Sequence, residues 1–395
     1  MRRSRIIDSF ILTVTSGLCV ASCNRNHPVG PPDSYALFVA KAANLRPLPV
    51  ERADVKTPEV QPLPGLFETG FASEMLRTVY LAGQYLRDAT IDGQRFSEQA
   101  RANASFPVCL VIGADVMPYG RGLSFKGTFG GSVEKPDLPW IGLPAELGRD
   151  KAVVQTVTAH LATYAAHLIA TGGLLDAASP PPDVLIDGYR MAMEVVAREW
   201  RFFSGPAGVI QTDEGTPEQR ALFGNVRDNR FVVDETGGGL RGPRQLLESG
   251  GVAATVLYRM AQSRAIGPRV APEAFYAPYA ANRMPTGVSP AAILGTFRNF
   301  QAKLLGVWAT AVFRGRAPKD IVDLVEAYAA TFPAEQAEVI RIFVVTTFGG
   351  TVKPGGSSMA PQDAQHTLAE LTALAAEVGL GRRTLRDALK PAPEK

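Results

Sequence analysis

Apolar residues recur at helical spacing along most of the chain beyond residue 150, and this pattern limits the possible folds more than any other feature. We expect helices at 150–171, 182–202, 217–224, 243–264, 290–313, 318–331, 333–345, 361–378 and 382–390. Proline is favoured in the first helical turn, because an amide there has no partner within the helix. Four of the segments have a proline at that position: Pro217, Pro243, Pro290 and Pro361. With 395 residues, 46% of them hydrophobic, the chain has enough apolar material to pack these helices around a core.

A smaller part of the chain has the character of strands. Residues 106–112 read Phe-Pro-Val-Cys-Leu-Val-Ile, an apolar run that is typical of a buried strand. Residues 117–144 are rich in Gly and Pro, which indicates hairpins and loops. We therefore predict an α+β fold that is predominantly α-helical, with a small β/hairpin region around residues 105–145.

The first 23 residues have the layout of a secretory signal. Arginines cluster within residues 2–5, an apolar stretch runs from Phe10 to Val20, and Val20-Ala21-Ser22-Cys23 follows. This tetrapeptide resembles the lipobox of bacterial lipoproteins. The resemblance implies cleavage before Cys23, a diacylglyceryl thioether on its sulfur, and acylation of the new N-terminus. The alternatives are an ordinary signal peptide with a chance cysteine and an uncleaved signal anchor.

The lipobox resemblance also implies a location and a domain organisation. Asn24 rather than Asp follows the cysteine, which in this family favours the outer membrane of two-membrane bacteria, with the protein facing the periplasm. Residues 24–64 contain eight prolines, and proline-rich chains are extended and semi-rigid. We therefore predict a signal peptide at 1–22, a lipidated cysteine and tether at 23–65, and a mainly helical globular body at 66–395. The body forms either one unit or two lobes, 66–235 and 243–395.

Two histidines on the predicted helix 150–171 are the first candidates for chemistry. At 100° per residue, Thr156, His160, Thr163 and His167 share one face of this helix, and that face is polar without charge. Such a stripe is expected to face protein or an enclosed cleft. His160 and His167 lie seven residues apart, about 10.5 Å along the axis, which is too far for them to share a zinc ion. We therefore expect no metal site here.

Two segments loosely resemble the paired helices of zincin-type metalloproteases. Residues 157–164 read Val-Thr-Ala-His-Leu-Ala-Thr-Tyr, and residues 187–194 read Asp-Gly-Tyr-Arg-Met-Ala-Met-Glu. Leu161 stands at the position of the general base and Tyr164 at that of the second histidine, so the His-Glu-x-x-His motif is missing. The resemblance implies a degenerate scaffold, with His160, His167 and Glu194 as the candidate catalytic residues. The alternative is that the histidines are hydrogen-bonded core residues.

A glycine-rich loop supplies the other candidate site. Residues 237–244 read Gly-Gly-Gly-Leu-Arg-Gly-Pro-Arg and precede a predicted helix, so backbone amides with Arg241 and Arg244 could bind an anion. The loop lacks the Gly-Lys-Ser/Thr of a phosphate-binding loop, and a plain flexible connection is the alternative.

These features favour a cell-envelope lipoprotein that acts as a non-catalytic interaction or scaffold component of an envelope-associated assembly. It would contact the membrane through its lipid and would bind an envelope protein partner. A net charge of +3 argues against a nucleic-acid binder, and no cofactor is expected. The competing hypothesis is a lipid-anchored hydrolase, or a degenerate zincin-like peptidase, with its site between helices 150–171 and 182–202.

Overall fold

Helices make up most of the residues that the computed structural model describes. The described residues are 37–41, 60–62, 82–83, 85–87, 89–104, 108–113, 123–124, 140–144, 162–174, 182–199, 217–234, 239–272, 274–275, 290–348 and 361–389. The predicted predominance of helix is therefore confirmed. Residues 1–36, and with them the predicted signal peptide, Cys23 and Asn24, lie outside the described residues.

The described helices include α1 (Glu98–Asn103), α2 (162–170), α3 (Asp183–Glu199), α4 (Pro217–Arg227), α5 (Pro243–Leu247), α6 (Gly250–Gln262), α7 (Pro290–Phe313), α8 (Ile321–Thr331), α9 (Gln336–Thr347), α10 (Pro361–Gly379) and α11 (Leu385–Ala388). No helix was predicted at α1, whereas α2 to α11 lie within or close to the predicted segments. Four of them begin at the prolines that the sequence analysis placed in a first turn: Pro217, Pro243, Pro290 and Pro361. No helix in the described part of the chain has the length and apolarity needed to cross a membrane.

The predicted single helix at 243–264 is wrong, since it is two helices, α5 and α6. The break lies at Ser249, whose backbone is extended (φ −97°, ψ 110°). Its hydroxyl accepts a hydrogen bond from the Val252 amide at 3.3 Å, so the serine caps the start of α6. A serine side chain that bonds to the backbone three residues onward satisfies an orphan amide, and this makes a new helix start favourable there.

Five short strands pair through their backbones. They are β1 (Leu37–Lys41), β2 (Val60–Pro62), β3 (Val108–Gly113), β4 (Leu123–Ser124) and β5 (Trp140–Pro144), in the order β2-β1-β3-β5-β4. The central strand β3 runs parallel to both β1 and β5, with Cys109 opposite Phe38 and Trp140. The outer strands β2 and β4 run antiparallel to their neighbours.

Among the described helices, α3 and α6 pack closely against each other. A Cβ added at Gly188 of α3 would lie 2.7 Å from Cβ of Ala253 on α6, so glycine allows the two backbones to approach. Because α3 precedes residue 235 and α6 follows residue 243, both of the predicted lobes contribute to one hydrophobic core. Residues 300–309 of α7 are buried on every side, and this part of α7 is a central core helix.

Candidate functional site

The described part of the histidine stripe, Thr163 and His167, lies at the margin of the core rather than inside it. Thr163 and His167 on α2 are half-buried, whereas Ala165 and Leu168, on the apolar face, are fully buried. His160 and Thr156 lie outside the described residues. The polar face of α2 therefore meets both protein and solvent at its described end.

The surroundings of His167 keep its imidazole neutral. Burial lowers the pKa of His167 from 6.5 to about 4, and the Asp183 carboxylate at the start of α3 partly opposes this shift. A histidine with so low a pKa carries no charge at neutral pH. It is suited to packing at a core margin, and it is a poor proton donor at neutral pH.

Glu194 is engaged in an ion pair on its own helix. Its carboxylate is 6% exposed and lies 2.9 Å from Nη1 of Arg190, one turn earlier on α3. The same guanidinium lies 3.4 Å from the exposed carboxylate of Asp187. This arrangement of residues three and four apart is typical of helix-stabilising pairs. It compensates the buried charge of Glu194 without any contribution from a substrate.

His167 and Glu194 are influenced by different groups of α3. The charge of Asp183, the first residue of α3, raises the pKa of His167 against the larger effect of burial. Glu194 lies eleven residues after Asp183 on the same helix, about 16 Å along the axis at 1.5 Å per residue. Its carboxylate is paired with Arg190.

The two candidate anion-binding arginines also have protein partners. Nε of Arg241 donates to the Val233 carbonyl at 3.2 Å, next to the backbone bridge between Val233 and Leu240. Arg244 is exposed, and its Nε lies 2.8 Å from Oε1 of Glu248. The helix behind them, α5, has five residues, so its dipole is small.

Arg244 also lines an open groove of about 670 Å³ where α3, α5 and α8 begin. The charged side chains of the groove are Asp183, Arg244, Glu248, Lys319, Asp320 and Arg386. Three are acidic and three are basic, and Arg386 lies 2.9 Å from Asp320. The groove therefore has no surplus of positive charge that would select an anion.

A buried charge cluster that sequence reasoning missed lies around Lys303 of α7. Nζ of Lys303 donates to Oε1 and Oε2 of Glu335 at 2.8 and 2.9 Å, and to the Ile266 carbonyl at 2.9 Å. These three bonds use all three ammonium donors. Lys303 is 0% exposed and Glu335 is 3% exposed. We conclude that Lys303 acts as a structural clamp, because no donor is left for a ligand.

Aromatic residues complete the Lys303 cluster. The Tyr328 hydroxyl donates to Oε2 of Glu335 at 2.8 Å, and Nζ of Lys303 lies 5.8 and 5.4 Å from the ring centroids of Tyr328 and Phe332. Burial lowers the pKa of Lys303, and the bond to Glu335 opposes this shift. A lone lysine within the apolar stretch 300–309 is a sequence signal for such a cluster. Its partner, 32 residues away, has no comparable signal.

His366, the last histidine of the chain, is exposed on α10. Among the residues with described side chains, no three His, Cys, Asp or Glu residues are grouped so that they could hold a metal ion. Comparison of the chain with protein-family models, with curated proteins and with solved structures finds no match.

Proposed function

We propose that this protein is a bacterial cell-envelope lipoprotein whose helical body acts as a non-catalytic interaction or scaffold component of an envelope-associated assembly. The observation that carries the proposal is Val20-Ala21-Ser22-Cys23 at the end of a basic and apolar leader. In this account residues 1–22 are removed, Cys23 carries the lipid, and residues 23–65 tether the body to the outer membrane. The small β region around residues 105–145 forms part of that body.

Contacts within the helical body support a non-catalytic role. Glu194 is paired with Arg190, and His167 is neutral at neutral pH. Arg241 and Arg244 bind a carbonyl and a carboxylate of their own neighbourhood. These side chains serve the fold, and their contacts give the hydrolase hypothesis no support.

Replacing the cysteine tests the anchor. Cys23→Ser removes the only sulfur that the lipobox offers, so incorporation of labelled palmitate should cease and the chain should leave the membrane fraction. Cys19→Ser is the matched control, because it makes the same change four residues earlier and leaves the lipobox intact.

The same two strains test the interaction role through cross-linking in intact cells. We expect Cys19→Ser to form a reproducible adduct with an envelope protein, and Cys23→Ser to lose that adduct. Palmitate labelling and membrane retention that persist in Cys23→Ser would contradict the anchor. A fully lipidated chain that forms no adduct would contradict the scaffold role.

A further inference from the structure

Residues 263–272, which we call the strap, follow α6, and few of their side chains are buried. Ile266, Gly267 and Ala271 are buried, whereas residues 264–265, 268–270 and 272 are exposed. The Ile266 and Gly267 amides donate to the Ser263 carbonyl at 3.1 and 2.7 Å, so these bonds are local to the strap. A segment with so few buried side chains has low local stability unless contacts with other elements hold it.

Polar contacts to one small region hold the strap. Ser263 Oγ donates to Oε1 of Glu338 at 2.9 Å, and the Ile266 carbonyl accepts from Lys303 at 2.9 Å. Nη1 of Arg269 donates to the Ala334 carbonyl at 3.2 Å, and its Nε lies 3.9 Å from Oε1 of Glu335. All of these contacts end on Lys303 or on residues 334–338.

Glu335 is the central anion of this region. Lys303 from α7, Tyr328 from α8 and Arg269 from the strap all face its carboxylate. Glu338, the next carboxylate along the chain, is held separately by Arg341 at 2.7 Å. A buried ion pair that loses one partner leaves an uncompensated charge in the core, and such a charge is strongly destabilising.

We propose that the strap is a separately opening element that the charge of the Glu335 carboxylate holds closed, and that loss of this charge releases the strap while α6 to α9 stay folded. Loss of this charge removes the attraction for Arg269 and leaves the Lys303 ammonium without a counterion. The ammonium regains a favourable environment by reaching water. Because the Ile266 carbonyl of the strap is one of its three partners, outward movement of the strap provides that route.

Hydrogen–deuterium exchange of the full chain at neutral pH tests the proposal. Glu335→Gln keeps the shape of the side chain and removes its charge. We expect strap amides to exchange about ten- to a hundredfold faster in this variant, while amides of α6 and α9 keep their protection. Glu370→Gln is the matched control, since Glu370 is an exposed carboxylate on α10. Unchanged strap exchange in Glu335→Gln, or equal acceleration in all helices, would overturn the proposal.

A double variant keeps the test decisive if Glu335→Gln does not fold. Lys303→Met/Glu335→Leu has no buried charge left unpaired, so it should fold. Because it lacks the partners of the Ile266 carbonyl and of Arg269, its strap amides should exchange faster than those of the wild type while amides of α6 and α9 keep their protection. A double variant that folds and keeps wild-type strap exchange would contradict the proposal.

Discussion

His167 shows at the scale of one residue how partial burial changes the chemistry of a side chain. Burial lowers its pKa to about 4 despite the carboxylate of Asp183. A spacing argument predicts the face on which His167 lies, because helical periodicity is local. The same argument cannot predict the pKa, since burial and the influence of Asp183 both depend on how α2 packs in the fold.

The pKa of His167 makes stability depend on pH. In the unfolded chain the imidazole takes up a proton near pH 6.5, whereas in the folded chain it does so only near pH 4. Its contribution is therefore fully present above pH 6.5 and is lost as the pH falls towards 4. His167→Gln should remove up to about 2 kcal/mol of the stability difference between pH 7 and pH 5, as measured by urea unfolding.

The control for His167 is His366→Gln, because the His366 side chain is 77% exposed. This control should lose as much stability on acidification as the wild type. If His167→Gln behaves as the control does, the environment assigned to His167 is wrong.

At the scale of elements, local signals account for most helix positions and distant contacts account for the remainder. Proline at a first turn predicts the starts of α4, α7 and α10, because its preference depends on one or two residues of backbone. The break at Ser249 also has a local cause, a serine cap, but the apolar periodicity continues across it. The Lys303–Glu335 pair could not be predicted, because helical periodicity contains no information about contacts between residues 32 positions apart.

The close contact between α3 and α6 can be tested by substitution. Gly188→Ala would place a Cβ 2.7 Å from Ala253 Cβ and 3.2 Å from the Gly250 carbonyl oxygen. We expect a loss of about 1–3 kcal/mol from overpacking, which exceeds the roughly 1 kcal/mol gain in helix propensity.

Thermal melting is the measurement, and Gly224→Ala in α4 is the matched control, because a Cβ at Gly224 meets nothing within 4 Å. Gly224→Ala should melt at or above the wild-type temperature, and Gly188→Ala below it. Equal melting temperatures for the two variants would show that α3 and α6 are not packed as closely as described.

At the scale of the whole molecule, the proposal is that a lipid anchor holds a helical body with one hydrophobic core at the membrane. Helices α3 and α6 pack residues from both predicted lobes into one core, and the clamp around Lys303 lies within the second of these lobes. The anchor depends on residues 20–23 and on chemistry that follows translation, so contacts within the body contain no information about it. For this reason the central claim requires a measurement at the N-terminus.

That measurement is mass spectrometry of the N-terminal peptide of the protein isolated from its native membrane. The account predicts a peptide that begins at Cys23 and carries a diacylglyceryl group on sulfur and an acyl group on nitrogen. A peptide that retains residues from 1–22, or that begins at another residue with Cys23 unmodified, would contradict it.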